Sequence, residues 1–98
     1  MIVKRHVAKE GVLLAVCDPD ILGKKFETDK LQLDLTSSFY QGEEMNEDEL
    51  KELLKTAYIV NAVGEKSISF LKTEGLVDDE KILRIQDIPH VQVMITRD

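Results

Sequence analysis

Cys17, His6 and His90 are the residues whose types could do nucleophilic chemistry, because a cysteine attacks as its thiolate and a histidine within hydrogen-bond reach can take the proton. With Asp18 added, the same set supplies the donor types of a metal site. Spacing supports neither reading. The chain has no CxxC or HxxxH pair, and Cys17 closes an apolar run, where cysteine is ordinarily a small buried hydrophobe. No catalytic residue, metal or cofactor is assigned from these side chains.

Gly64-Glu65-Lys66-Ser67 is a second kind of signal, set where an apolar strand hands over to a helix. The free N–H groups of a helix start, with the Lys66 charge beside them, suit an anion. The segment is not a phosphate-binding P-loop, since the leading glycine is missing and Glu65 separates Gly64 from Lys66. Gly23-Lys24-Lys25 lacks the same parts. His90 follows Pro89 in a stiffened loop and has a ring that titrates near neutrality. Asn61, Gly64, Lys66, Ser67 and His90 therefore form one candidate ligand-binding set, all at strand ends. A third signal is acidic: Glu43, Glu44, Glu47, Asp48 and Glu49 could present a patch to a basic partner, or simply favour a helix dipole.

The elements that must position these groups follow from periodicity. Ile2 to Val7 and Val12 to Cys17 predict an antiparallel hairpin about a polar break, and Asp18-Pro19-Asp20 predicts a short capped turn closed by Gly23. Leu31, Leu33 and Leu35 alternate with polar residues, as in a third strand with one wet face. In the polar loop that follows, one of Phe39 and Tyr40 is expected to seal the core edge. Asn46 is placed to cap a helix over Glu47 to Ala57, with Leu50, Leu53, Leu54 and Ala57 on one face. Tyr58 to Val63 is nearly continuous in apolar residues, as a central strand covered on both faces would be. A second helix is predicted over Glu65 to Glu74, ended by Gly75 and Leu76, and two strands follow, Ile82 to Ile85 and Val91 to Ile95, around Pro89.

The predicted fold is α+β: a single domain over residues 1–98, with a mixed sheet of about five to six strands and two main helices packed on it. With 43% hydrophobic and 33% charged residues, the composition is that of a packed globular chain. The net charge is −6, and residues 31–64 hold two basic against seven acidic side chains, which argues against direct nucleic-acid binding. One cysteine forms no internal disulfide, and the apolar run at Val12 to Cys17 is too short to span a bilayer. A cytoplasmic protein without membrane contact is expected, and open sheet edges would permit a homodimer.

Asp18-Pro19-Asp20-Ile21-Leu22-Gly23-Lys24-Lys25-Phe26, Asn61-Ala62-Val63-Gly64-Glu65-Lys66-Ser67 and Ile88-Pro89-His90-Val91-Gln92-Val93 together resemble a family of small archaeal proteins, domain of unknown function 424. The similarity runs end to end, through Phe39-Tyr40-Gln41-Gly42 and Gly75-Leu76-Val77. The resemblance implies a compact α+β cytoplasmic protein with no catalytic residues to carry over, and a loose link to archaeal translation or ribonucleoprotein assembly. Two functions are expected on this basis. One is a non-enzymatic module that meets a protein partner. The other is a small anion- or nucleotide-ligand-binding protein or enzyme using the Asn61–Ser67 loop and His90.

Overall fold

A computed structural model describes residues 1–95. In chain order the strands and helices are β1 (Ile2–Ala8), β2 (Gly11–Cys17), β3 (Lys25–Glu27), β4 (Gln32–Asp34), β5 (Glu43–Glu44), α1 (Glu47–Leu54), β6 (Ala57–Val63), α2 (Glu65–Thr73), β7 (Leu83–Ile85) and β8 (Ile88–Met94). Six strands form one mixed sheet in the order β5-β1-β2-β6-β8-β7, in which β2 and β6 run parallel and every other pair antiparallel. The fold is α+β, with the parallel pair joined through α1.

Both helices lie on one face of the sheet. Leu50 and Leu54 of α1 and Ile68, Phe70 and Leu71 of α2 pack with Val3, Leu14, Val16, Val60, Ala62 and Val91. Helix α1 begins where side-chain chemistry dictates. The Asn46 side chain accepts from the Glu49 N–H (2.8 Å), the Glu49 carboxylate accepts from the Asn46 N–H (3.3 Å), and Glu47, Asp48 and Glu49 fill the first turn. The helix stops at Leu54, one turn earlier than periodicity suggests, because Ala57 already begins β6. Helix α2 ends at Thr73, with Gly75 at φ +74° and the Leu76 N–H donating to the Leu71 carbonyl (3.0 Å).

The opposite face carries a layer that the sequence reading does not anticipate. β3 and β4 pair only with each other, and with the turn at Ser38–Tyr40 they cover Ala15, Cys17, Val63 and Ile85 with Ile21, Leu33, Leu35 and Tyr40. The Leu31 to Leu35 segment is therefore a strand as predicted, but outside the main sheet. Its alternation registers only that one face is buried, which holds for Leu33 and Leu35, while Leu31 is exposed. Of the adjacent aromatics, Tyr40 seals this core and Phe39 stacks on His6, ring centroids 4.5 Å apart. Strand β6 is covered on both faces as expected, through Val60 and Ala62 on one side and Val63 on the other.

The last hairpin turns on Gln86 (φ +51°) and Asp87 (φ +66°), two side-chain-bearing residues in the left-handed region. A two-residue turn of this hand matches strand twist and favours glycine at its second position. The Gln86 side chain is engaged, since its Nε2–H donates to the Glu27 carbonyl (2.8 Å), which leaves Asp87 as the replaceable residue. Asp87→Gly is expected to raise stability by about 0.5–1 kcal/mol. Urea denaturation checks this, and an unchanged or lowered midpoint refutes it.

Candidate functional site

The helix start singled out in the sequence is already occupied by a group from the chain itself. Strand β2 ends at Cys17, and the next residue, Asp18, is 5% exposed. Its carboxylate accepts the N–H of Lys66 (2.9 Å), the N–H of Ser67 (2.8 Å) and the hydroxyl of Ser67 (2.7 Å), 48 and 49 residues along the chain. These are first-turn amides of α2, which no backbone carbonyl within the helix can satisfy. The carboxylate thus supplies both hydrogen-bond acceptors and a negative charge at the positive end of the helix dipole.

Gly64 makes the approach possible. It stands at the N-cap with φ +108°, and a Cβ there would lie 2.3 Å from Asp18 Cγ. The Asp18 and Gly64 backbones are also tied to the sheet, because the Asp18 N–H donates to the Val63 carbonyl (3.1 Å) and the Gly64 N–H to the Pro89 carbonyl (2.9 Å). Asp18 was expected to cap the turn that follows it. Only its backbone carbonyl serves that turn, accepting from the Ile21 N–H (3.3 Å), while the side chain reaches α2.

The five candidate ligand residues do not line one site. Lys66 is exposed, and Ser67 is fully buried on Asp18. Asn61 and His90 lie on the other face of the sheet, because Val60, Ala62 and Val91 beside them point into the helix-side core and strand side chains alternate. The Asn61 Oδ1 is buried without a hydrogen-bond partner. His90 is half-buried, and burial pushes its ring below the usual imidazole value of 6.5. At Gly23-Lys24-Lys25 the Gly23 and Lys24 amides donate to the Leu35 and Ile21 carbonyls, and Lys25 pairs with Glu27 at 3.3 Å.

The thiol chemistry meets a similar barrier. Burial foremost, and then the charges of Asp18 and Asp20, push the Cys17 thiol up to about 12, so it is protonated at neutral pH and donates to the Asp18 carbonyl (3.3 Å). Cys17, Val63 and His90 form one row across β2, β6 and β8, which puts His90 two strands away at about 10 Å, beyond hydrogen-bond reach. His6 is engaged elsewhere, its Nε2–H donating to the Phe39 carbonyl (3.0 Å). Among the described residues no group of His, Cys, Asp or Glu is placed to hold a metal ion.

A recess of about 790 Å³ opens between the segment leading into α1 and the first turns of α2. Met45 and Phe70 contribute its apolar lining, Asn46, Ser69 and Thr73 its polar lining, and Glu44, Glu47 and Glu65 its carboxylates, with Lys66 the lysine beside them. The acidic residues at 43–49 thus gain a concave wall from α2. Sequence reasoning identified the acids but not the recess, because Glu65 and Phe70 reach it through tertiary packing.

Asp18→Asn is expected to lower stability by about 2 kcal/mol, since one amide would then face an NH2 group and the charge at the helix start would be gone. Ser67→Ala, which leaves both amide bonds, is expected to lose only about 1 kcal/mol. Chemical denaturation of both variants checks the order, and equal losses would refute it. The lowered ring value of His90 also sets a pH dependence. Below about pH 6.5 the unfolded chain takes up a proton that the folded ring resists, so this residue's contribution is present above that value and lost as pH falls. His90→Gln is expected to flatten the stability loss between about pH 7 and pH 5, and parallel profiles would refute the assignment.

In this structure no helix is long and apolar enough to cross a membrane, among the described residues. No curated protein matches the chain. The crystal structure of an uncharacterized conserved protein from Methanopyrus kandleri, an archaeon, is similar, with a TM-score of 0.80 and 27% sequence identity over 99% of this chain and 93% of that one. The family model described as protein of unknown function (DUF424) matches residues 6–95. With nine-tenths of its length matched, and with the α+β architecture that the resemblance implied, the chain belongs to this family.

Proposed function

We propose that the protein is a non-enzymatic interaction module that receives a basic segment of a protein partner in the recess between α1 and α2. The observation that carries this reading is the joining of the Glu44, Glu47 and Glu65 carboxylates with Met45 and Phe70 in one concavity. A lysine or arginine side chain needs both parts, because its apolar stem must lie on hydrocarbon while its charged head meets carboxylates or an aromatic face. Small-molecule chemistry has weaker support. The Cys17 thiol is protonated, both histidines lie away from it, and the α2 amides are held by Asp18.

Glu65 already forms an ion pair with Arg84 (2.9 Å) and Glu44 a longer one with the Met1 ammonium (3.7 Å), so Glu47, with Glu44 beside it, is the rim charge best placed to attract a partner. Ribonucleoprotein components, which carry basic segments, are the partner class that fits both this charge and the loose association with translation that the family resemblance implied. The contact would be made through protein rather than through RNA phosphates, which the net charge of −6 repels. A cytoplasmic setting suits a chain with one free, buried thiol.

The test is a titration with a short synthetic peptide alternating arginine and alanine, followed by amide chemical shifts. Perturbations are expected at residues 44–49 and 65–73 and should weaken with added salt. The double variant Glu44→Lys, Glu47→Lys should bind roughly 5- to 30-fold more weakly, at about 0.5–1 kcal/mol per charge. Shifts centred elsewhere, or unchanged affinity in the double variant, would overturn the reading.

A further inference from the structure

A second surface, of opposite charge and with its own backbone donors, lies across the Gln41–Met45 segment from the acidic recess. Strand β5 pairs with β1 only at Ile2 and Val3. The Met45 N–H donates to the Met1 carbonyl (2.8 Å), and in an antiparallel ladder alternate residues face alternate neighbours. Val3, Arg5 and Val7 therefore turn their N–H and C=O groups to the outer edge, while Lys4, His6 and Ala8 bond to β2. Val3 is met there by β5. Arg5 and Val7 have no strand beside them among the described residues.

The edge borders a groove of about 510 Å³, where Val7, 74% exposed, stands near Met45 and Leu53. A free edge beside an apolar groove is the arrangement used in recognition by strand addition, where backbone bonds hold an extended peptide and alternate side chains enter pockets. Charge chooses the occupant. Residues 4–10 carry Lys4, Arg5 and Lys9 against Glu10, and the groove lining sets Lys4 and Arg5 against Glu43, a basic balance in a chain whose net charge is −6. A second copy would set two such basic strands side by side, whereas an acidic strand complements them.

We propose that the outer edge of β1 at Arg5–Val7 takes an extended acidic peptide of a partner protein as an added antiparallel or parallel strand. Its apolar side chains occupy the groove at Val7 and Leu53, and its carboxylates, on the alternate face, stand beside Lys4. This surface shares only Met45 with the basic-partner recess, and a probe of opposite charge tests it.

The probe is a synthetic peptide alternating valine and glutamate, and the readout is amide hydrogen exchange of the full chain. Exchange at Arg5 and Val7 is expected to slow by at least about tenfold at saturating peptide, while Lys4 and His6 change little. Val7→Pro removes an outward N–H without touching a bond to β2, and it should cut affinity at least about tenfold with the circular dichroism spectrum unchanged. Where that variant fails to fold, Lys4→Glu with Arg5→Glu keeps the backbone and should give the same loss. No slowing at Arg5 and Val7 would overturn the proposal, as would equal binding of a control peptide alternating valine and lysine. Slowing that depends on protein concentration without peptide would also overturn it, by showing a second copy in the place.

Discussion

A carboxylate buried at the start of a helix holds this fold together at its least forgiving point. The Asp18 side chain leaves the end of β2 and takes two amides and a hydroxyl from the first turn of α2, across 48 residues of chain. Uncompensated burial of a charge is costly, and here three donors and a helix dipole supply the compensation. The contact fixes where α2 leaves β6, and with it the angle at which Ile68, Phe70 and Leu71 meet the sheet. The same contact makes two neighbours special: Gly64, because any Cβ would meet the carboxyl carbon, and Ser67, because its hydroxyl donates to that carboxylate from a fully buried position.

That interaction also decides what the helix start can do. An anion-binding reading of Gly64-Glu65-Lys66-Ser67 is chemically sound as far as it goes, since the amides do bind an anion. The anion is internal. An external phosphate would have to displace a covalently tethered carboxylate that is held at high effective concentration by the strand it ends. Lys66 is exposed and joins the wall of the recess between the helices.

How much of this was legible in the sequence depends on how far apart the partners lie. The start of α1 is a local contract between Asn46 and Glu49, three residues apart, and it forms as predicted. The two-face burial of β6 is also written locally, in its unbroken apolar composition. Asp18 was assigned to its own neighbourhood because Asp-Pro-Asp followed by glycine has a local explanation, and nothing in the spacing of residues 18 and 64–67 marks them as partners. The β3–β4 layer is a failure of another kind. Alternation at Leu33 and Leu35 records which face is buried but not against what, and β3 has only Phe26 to announce it. Strand β5 consists of two glutamates, residues disfavoured in strands, held there by pairing with Ile2 and Val3. Its formation is a consequence of the loop's path and not of its composition.

The candidate surfaces follow from that same two-residue strand. Because β5 stops at Val3, the chain from Gln41 to Met45 covers only the first part of the β1 edge and then turns into α1. On one side it delivers Glu44 and Glu47 to the recess against α2, and on the other it leaves Arg5 and Val7 unpaired above Leu53. Gly42 sets this crossing, for a Cβ there would sit 2.0 Å from the Val3 carbonyl oxygen, and only a glycine lets the loop pass so close to β1. A β5 begun a few residues earlier would have closed the edge at Arg5 and Val7. The brevity of the strand thus sets two surfaces side by side, one holding Glu44, Glu47 and Glu65 with Lys66, the other Lys4 and Arg5 with Glu43. Binding at either proposed surface would require little rearrangement, because β1 and Leu53 of α1 frame one and the first turns of α2 the other.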